Sequence, residues 1–241
     1  MTQTQDAQPP RQQDPQPHIV RVWDLPTRLF HWLLAACVVA LVITAKVGGN
    51  AMEWHLRLGY ATLALLVFRV VWGLIGGRWS RFSAFLYSPG RLVRYLRGVP
   101  HPDDVIGHSP LGALSVFGLL AVLFAQVATG LLSDDEIAFA GPLTRFVSGA
   151  VVAQATGYHK NIGQYLVLGL VGLHIAAILF YALVRRQRLV RPMLSGDKAL
   201  ASPTPASRDD AASRLVALIV LAASAGLAWW LAALGAAGPA F

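Results

Sequence analysis

Four histidines lie within or at the ends of long uncharged segments of this chain, and neutral imidazole is a common ligand of metal ions. They are His31, His55, His159 and His174. An unpaired polar group in hydrocarbon costs roughly 2–7 kcal/mol, so each ring is expected to have a partner. In an α-helix, the stretch from His159 to His174 spans roughly 22 Å, which is too far for one shared metal ion. The spacing therefore predicts two separate sites, one near each face of a bilayer.

The surrounding segments have the composition of an integral membrane protein. Of the 241 residues, 55% are hydrophobic and 13% are charged, whereas soluble domains carry about 25% charged residues. Five apolar runs are long enough to be membrane spans: 29–45, 58–76, 110–132, 161–184 and 215–236. No cleavable signal peptide is expected, because a long polar tail precedes the first run and no small-residue cleavage site follows it. The single cysteine, Cys37, excludes an internal disulfide and a CxxCH haem-attachment motif.

The net charge of +8 is distributed as membrane topology requires. Arginines dominate segments 77–109 and 185–191, whereas an acidic cluster occupies residues 134–136. Because Lys and Arg accumulate in cytoplasmic loops, the amino terminus is predicted to be cytoplasmic. Five spans then place the carboxyl terminus in the periplasm. The mixed basic and aromatic residues of 78–98 predict a helix among lipid headgroups, so no nucleic-acid partner is expected.

Depth in the membrane predicts which histidines pair. His31 and His174 fall near the inner face, and His55 and His159 fall near the outer face. Each pair joins different helices, as a ligand site in a bundle core requires. Two neutral imidazoles suit the iron of a haem b, whereas zinc would require four ligands, and no carboxylate or thiolate lies at either level. An iron with six ligands has no position for a substrate, so the expected function is electron transfer.

Three further residues are candidate cofactor contacts. Gly59 and Gly163 lie one turn from His55 and His159, and a missing side chain there would give a flat macrocycle room beside its axial ligand. The alternative for both glycines is ordinary small-residue helix packing. Arg69 is the one full charge inside a span. Either its stem extends to the headgroups, or its guanidinium contacts an anionic group such as a haem propionate.

Two other features are open to more than one interpretation. His108 precedes the third run and is expected to be solvated, with a quinone or propionate contact as the alternative. The third run has neither histidine nor charge and is expected to be a wall of the bundle. The acidic cluster at 134–136 is either a solvated external face or a docking site for a basic protein such as a cytochrome c.

The predicted fold class is an all-α membrane protein. It consists of a four-helix transmembrane bundle that binds two haems b, plus a fifth C-terminal transmembrane helix. The expected organisation is a disordered N-terminal tail at 1–18, the di-haem domain at 19–194, a flexible linker at 195–213, the additional transmembrane helix at 214–236 and a short tail at 237–241.

A series of short motifs resembles the bacterial cytochrome b561 family, which is related to the b-type cytochrome subunits of nickel–iron hydrogenases. The motifs are TRLFHW (27–32), WHLRLGY (54–60), FRVVWG (68–73), GHSPLG (107–112) and DDEIAFAGPL (134–143), followed by the last two histidines. The resemblance covers roughly residues 20–198. It implies two b haems held by His31, His55, His159 and His174, in the bacterial inner membrane. It also implies electron exchange with a membrane quinone such as ubiquinone.

Three functions compete at this point. The first is electron transfer between a periplasmic redox partner and the quinone pool. The second is superoxide oxidation at the outer face, with electrons passed to ubiquinone; Arg57 and Lys160 would attract the anion, although the acids at 134–136 oppose this. The third is a membrane anchor or electron-exit subunit of a hydrogenase-type complex.

Overall fold

Five long helices dominate the computed structural model, which describes residues 17–236. Each is long and apolar enough to cross a membrane. They are α1 (Leu25–Val47), α2 (Ala51–Ile75), α4 (Pro110–Leu131), the combined helix Gly149–Leu183 and α8 (Ala211–Ala236). The predicted helical membrane protein with five spans is confirmed. The predicted tail at 237–241 and residues 1–16 of the predicted N-terminal tail lie outside the described residues.

The fourth span contains a π-helical turn. Helix α5 (Gly149–Tyr158) leads into this turn (His159–Gly163), and α6 (Gln164–Leu183) continues from it. The helix therefore begins before the apolar run at 161–184 that predicted it, because α5 continues directly into the span. Single π-turns are rare in proteins as a whole, and those that occur are often found at functional sites.

Local sequence accounts for where three of the helices begin. The Asp24 carboxylate accepts a hydrogen bond from the Thr27 N–H, and a proline stands in the first turn of α1. The Ser109 hydroxyl accepts from the Gly112 N–H at the start of α4. Ser88 caps α3 (Pro89–Leu96) in the same way. These side chains satisfy backbone donors that a helix leaves free at its N-terminus.

Helix α2 is the centre of the bundle and packs against α1, α4 and α8. One apolar cluster joins α1, α2 and α8 (Phe30, Leu65, Phe68, Trp72 and Ala217). A second cluster joins α2, α4 and α6 (Leu66, Leu123 and Val167). In contrast, α6 buries only Val167 against other protein atoms. Helix α6 packs mainly against α4.

A small antiparallel sheet closes one end of the bundle. Strand β1 (His18–Arg21) pairs with β2 (Asp197–Leu200), which follows the short helix α7 (Val190–Ser195). We call this end, which also carries α3, the basic end; the opposite end, which carries residues 134–136, is the acidic-loop end. A cluster of Val20, Val22, Trp23, Ile106 and Leu200 underlies the sheet.

The segment after β2, which lies in the predicted flexible linker at 195–213, makes specific contacts with the basic end. The Arg21 guanidinium donates to Asp197 and to Asp209, both at 2.6 Å. The Ser207 hydroxyl donates to the Val22 carbonyl at 2.7 Å. The polar residues that suggested a solvated linker instead form specific contacts with the chain near its start.

Candidate functional site

The first histidine pair joins α1 to α6 near the basic end. The ring centroids of His31 and His174 are 6.4 Å apart, and their planes are inclined by 52°. The Trp32 ring stands edge-on to His31 at 5.1 Å, and its Nε1 donates to the Met193 carbonyl at 3.2 Å. The His31 Nδ1 is shielded from solvent and has no hydrogen-bond partner within residues 17–236.

The second pair joins α2 to the π-turn near the acidic-loop end. The centroids of His55 and His159 are 6.2 Å apart at 88°. The His55 Nδ1 lies 3.0 Å from the Leu41 carbonyl oxygen, and the His159 Nδ1 lies 2.8 Å from that of Gln126. Because a carbonyl oxygen can only accept, Nδ1 carries the proton and Nε2 keeps a free lone pair. Metal-binding histidines have this arrangement.

The separation within each pair fits one metal ion between two imidazoles. A metal–imidazole bond is about 2 Å long and the ring centre lies roughly 1 Å behind the nitrogen, so two axial rings have centroids about 6 Å apart. No three His, Cys, Asp or Glu side chains converge on one point in the part of the chain that the structure describes. Two neutral nitrogens per site are the donor set of an iron whose other ligands come from a porphyrin.

Comparison with known proteins identifies the family of the chain. The family model described as prokaryotic cytochrome b561 matches residues 22–196. The chain belongs to the prokaryotic cytochrome b561 family. The resemblance predicted from the motifs is thereby confirmed, and the chain is a b-type cytochrome of the membrane.

Several proteins similar to this chain are named as probable Ni/Fe-hydrogenase b-type cytochrome subunits. The one from Azotobacter vinelandii is 28% identical over 73% of this chain and 87% of its own length. The subunit from Bradyrhizobium diazoefficiens is 22% identical over 74% of this chain and 85% of its own length. The Escherichia coli K12 subunit is 25% identical over 48% of this chain, and the match spans only 60% of that relative. No solved structure matches the chain.

In this member of the cytochrome b561 family, Arg69 is buried in the bundle. It is only 3% exposed, so its stem does not carry the charge to the headgroups. The guanidinium carbon lies 4.7 Å from the centre of the Phe82 ring and 5.9 Å from that of Phe30. The Nη1 atom has no hydrogen-bond partner among residues 17–236. A cation held by aromatic faces with a free donor suits an anionic partner, and contact with a propionate stays a prediction.

The two predicted glycines have different surroundings. A Cβ at Gly59 would meet no atom within 4 Å, so this side of α2 leaves room next to His55. A Cβ at Gly163 would overlap the side-chain amide of Gln126 and crowd the Tyr158 ring. The missing side chain of Gly163 therefore makes room for a glutamine of the neighbouring helix, which matches the alternative of small-residue helix packing, and a contact with a macrocycle stays a prediction.

His108 differs from the expected solvated histidine. Its ring centroid lies 4.3 Å from that of Phe85 and 4.7 Å from that of Trp23. The ring is half-buried between these aromatic groups with its Nδ1 shielded from solvent, and this burial, together with the nearby charges of Arg69 and Lys198, lowers the pKa of His108 to about 3. The side chain is therefore neutral at physiological pH and belongs to the packing of the basic end.

Sequence reasoning missed the contribution of α4, which was expected to be only a wall. Gln126 accepts from the His159 ring through its main chain, and its Nε2 donates to the His159 carbonyl at 3.1 Å. A Cβ at Gly130 would come within 2.9 Å of the same ring. Gln126 and Gly130 are four residues apart and therefore share one face of an otherwise apolar helix. This spacing was the signal in the sequence for a contact between α4 and the fourth span.

Proposed function

We propose that this protein holds two haems b and transfers electrons across the membrane between a redox partner and the quinone pool. His31 and His174 would hold one haem, and His55 and His159 the other. The observation that carries the proposal is the presence of two imidazole pairs at two depths, each with the separation that a bis-imidazole iron requires. Haem b supplies reversible one-electron chemistry when it is bound.

The surrounding residues would tune and orient the two sites. The main-chain oxygens of Leu41 and Gln126 hold the outer imidazoles in one tautomer and increase their basicity as ligands. Arg69 would place a positive charge beside the inner haem and pair with a propionate. The apolar helices exclude water, which strengthens each of these electrostatic effects.

Charge distribution and the relatives suggest how the chain is oriented and what it contacts. The basic end would face the cytoplasm by the positive-inside rule, so the acidic-loop end would face the periplasm. Ile137, next to the acidic cluster at 134–136, is 91% exposed. Because the relatives are named as hydrogenase subunits, we propose a hydrogenase-type complex as the redox partner rather than a free cytochrome c, with ubiquinone or a similar quinone in the membrane.

The geometry gives less support to superoxide oxidation. Arg57, which would attract the anion, contacts Glu53 at 2.5 Å and stacks over the Trp54 ring at 5.1 Å. The Glu53 carboxylate thus largely compensates the Arg57 charge. Lys160 remains as the second cation that could attract superoxide, and the acidic cluster at 134–136 opposes it. Stopped-flow mixing with superoxide tests this alternative, and fast haem reduction would favour it.

The central prediction concerns the number of haems. We expect two haems b per purified chain and about one per chain in His174→Ala, because the inner iron loses one of its two protein ligands. The haem-to-protein ratio and the low-spin electron paramagnetic resonance signals measure this. His101→Ala is the control, since His101 is an exposed histidine outside the spans. A His174→Ala protein that retains two low-spin haems would contradict the assignment.

Co-purification tests the partner. Mild detergent extraction from the native membrane should recover this chain together with a large hydrogenase-type subunit, and the reduced enzyme should reduce the cytochrome. Electron transfer to a quinone analogue without any such subunit would instead favour an independent cytochrome.

A further inference from the structure

A glutamine of α4 contacts the fourth span through both its main chain and its side chain. The Gln126 carbonyl oxygen accepts from the His159 Nδ1–H at 2.8 Å, and the Gln126 Nε2 donates to the His159 carbonyl at 3.1 Å. One residue therefore contacts both the imidazole ring and the backbone of the same histidine. The contact is half-buried in the bundle, where few other polar groups compete for these atoms.

The π-turn changes which groups surround the His159 carbonyl, whose oxygen has two lone pairs and can accept a second hydrogen bond. In an α-helix, this carbonyl would accept from the N–H four residues later, which belongs to Gly163. In a π-turn the bonding shifts to the fifth residue, and the wider turn reorients the groups next to it. The His159 carbonyl thus lies within reach of α4, where the Gln126 amide donates to it.

Two glycines provide the space for this contact. The Gln126 amide occupies the space where a side chain at Gly163 would lie, and the His159 ring lies against Gly130. A larger residue at either position would displace the amide or the ring. Two hydrogen bonds, two glycines and the π-turn therefore converge on the orientation of one imidazole.

We propose that Gln126 is a positioning residue for His159, whose side-chain amide stabilises the π-turn in the geometry that directs the imidazole toward His55. The inference rests on the proposed function, because it concerns the ligand set of the outer haem. The Gln126 main-chain oxygen fixes the ring tautomer in any variant. The Gln126 side chain donates to the backbone of the turn, and a substitution at Gln126 removes this hydrogen bond.

The test compares two glutamines near the same turn. Gln126→Leu keeps the approximate volume but removes the donor to the His159 carbonyl. Gln154→Leu is the matched control, since Gln154 is an exposed glutamine of α5 that lies outside the π-turn. We expect about a tenfold or greater loss of haem retention at the outer site in Gln126→Leu, with an altered outer-haem resonance signal and midpoint potential. The inner haem should be unchanged.

His55→Ala and His174→Ala identify which signal belongs to which haem. Gly163→Ala is a second route to the same effect, because its methyl group displaces the Gln126 amide while the glutamine itself remains. If wild-type protein contains no haem, the proposed function fails. If wild-type protein contains two haems and both Gln126→Leu and Gly163→Ala have the wild-type outer-haem signal, only the positioning role fails.

Discussion

Histidines inside this bundle fall into two classes that a sequence does not distinguish. Four of them face another imidazole across about 6 Å, whereas His108 packs between the aromatic rings of Trp23 and Phe85. A ring between Trp23 and Phe85 has no acceptor for a second proton, so burial favours its neutral form. The same residue type thus serves as a candidate metal ligand in one place and as an aromatic packing group in another.

His108 should make stability depend on pH. Its pKa of about 3 in the folded protein is below the ordinary value of about 6.5, so the unfolded chain binds a proton that the folded chain does not. This contribution to stability is complete above about pH 6.5 and is lost progressively as the pH falls toward 3. Thermal unfolding in detergent between pH 7 and 4 measures it. His108→Phe should flatten the profile, whereas exposed His101→Gln should follow the wild type.

At the scale of the elements, the start of α1 is also the junction between α1 and α2. The fully buried Asp24 carboxylate caps α1 through the Thr27 N–H at 2.8 Å. It also accepts from the Trp72 Nε1 at 3.2 Å, the Gly77 N–H at 3.1 Å and the Ser80 hydroxyl at 2.6 Å. One side chain therefore satisfies donors from the first helix, the second helix and the loop after it.

Removal of this carboxylate should destabilise the junction. Asp24→Ala leaves several buried donors without an acceptor, and we expect the free energy of unfolding to fall by about 3 kcal/mol. Asp24→Asn should lose less, because its amide oxygen can still cap the helix. Denaturant or thermal unfolding in micelles measures both, with exposed Asp103→Ala as the reference. Equal stability of Asp24→Ala and Asp103→Ala would show that the junction does not depend on Asp24.

At the scale of the whole molecule, Asp209 connects the two ends of the chain. Its side chain is 5% exposed and accepts from Arg21, Arg214 and the Leu25 N–H at 2.6, 3.0 and 3.2 Å. Burial alone would raise the pKa of Asp209, but the hydrogen bonds from Arg214, from the Leu25 N–H and from Arg21 lower it below its ordinary value. The carboxylate thereby holds α8 against the start of α1.

This attachment should weaken in acid. Because the folded pKa of Asp209 is depressed, its contribution is present above the unfolded value of about 4 and is lost as the pH falls through the folded pKa. Asp209→Asn should be less stable than the wild type at pH 7 by about 1–3 kcal/mol and should lose less on acidification. Exposed Glu136→Gln is the control in the same unfolding assay. A variant as stable as the wild type at pH 7 would rule out this role.

The parts of the molecule that follow from membrane geometry were accessible from the sequence. The lengths of the apolar runs and the placement of the charges predict the helix ends. The helix ends in turn predict that His31 and His174 lie at the same depth in the membrane. The docked segment around Asp209 was not accessible, because its partners are almost 190 residues away and its Ser, Pro and Asp content is also typical of a linker. Gln126 was missed because the spacing of one glutamine and one glycine on an apolar helix does not show which group of a neighbouring helix they contact. The π-turn depends on that same tertiary contact.

The pairing of β1 with β2 also has a consequence for biosynthesis. Arg21 and Asp197 are 176 residues apart in sequence, so at about 5–20 residues per second a ribosome needs roughly 9–35 seconds to add the second strand after the first. During that interval α1, α2, α4 and α6 have been synthesised, whereas the sheet cannot yet form. The cytochrome thus passes through a stage at which the helices that carry its four paired histidines are already synthesised while the basic end is still open.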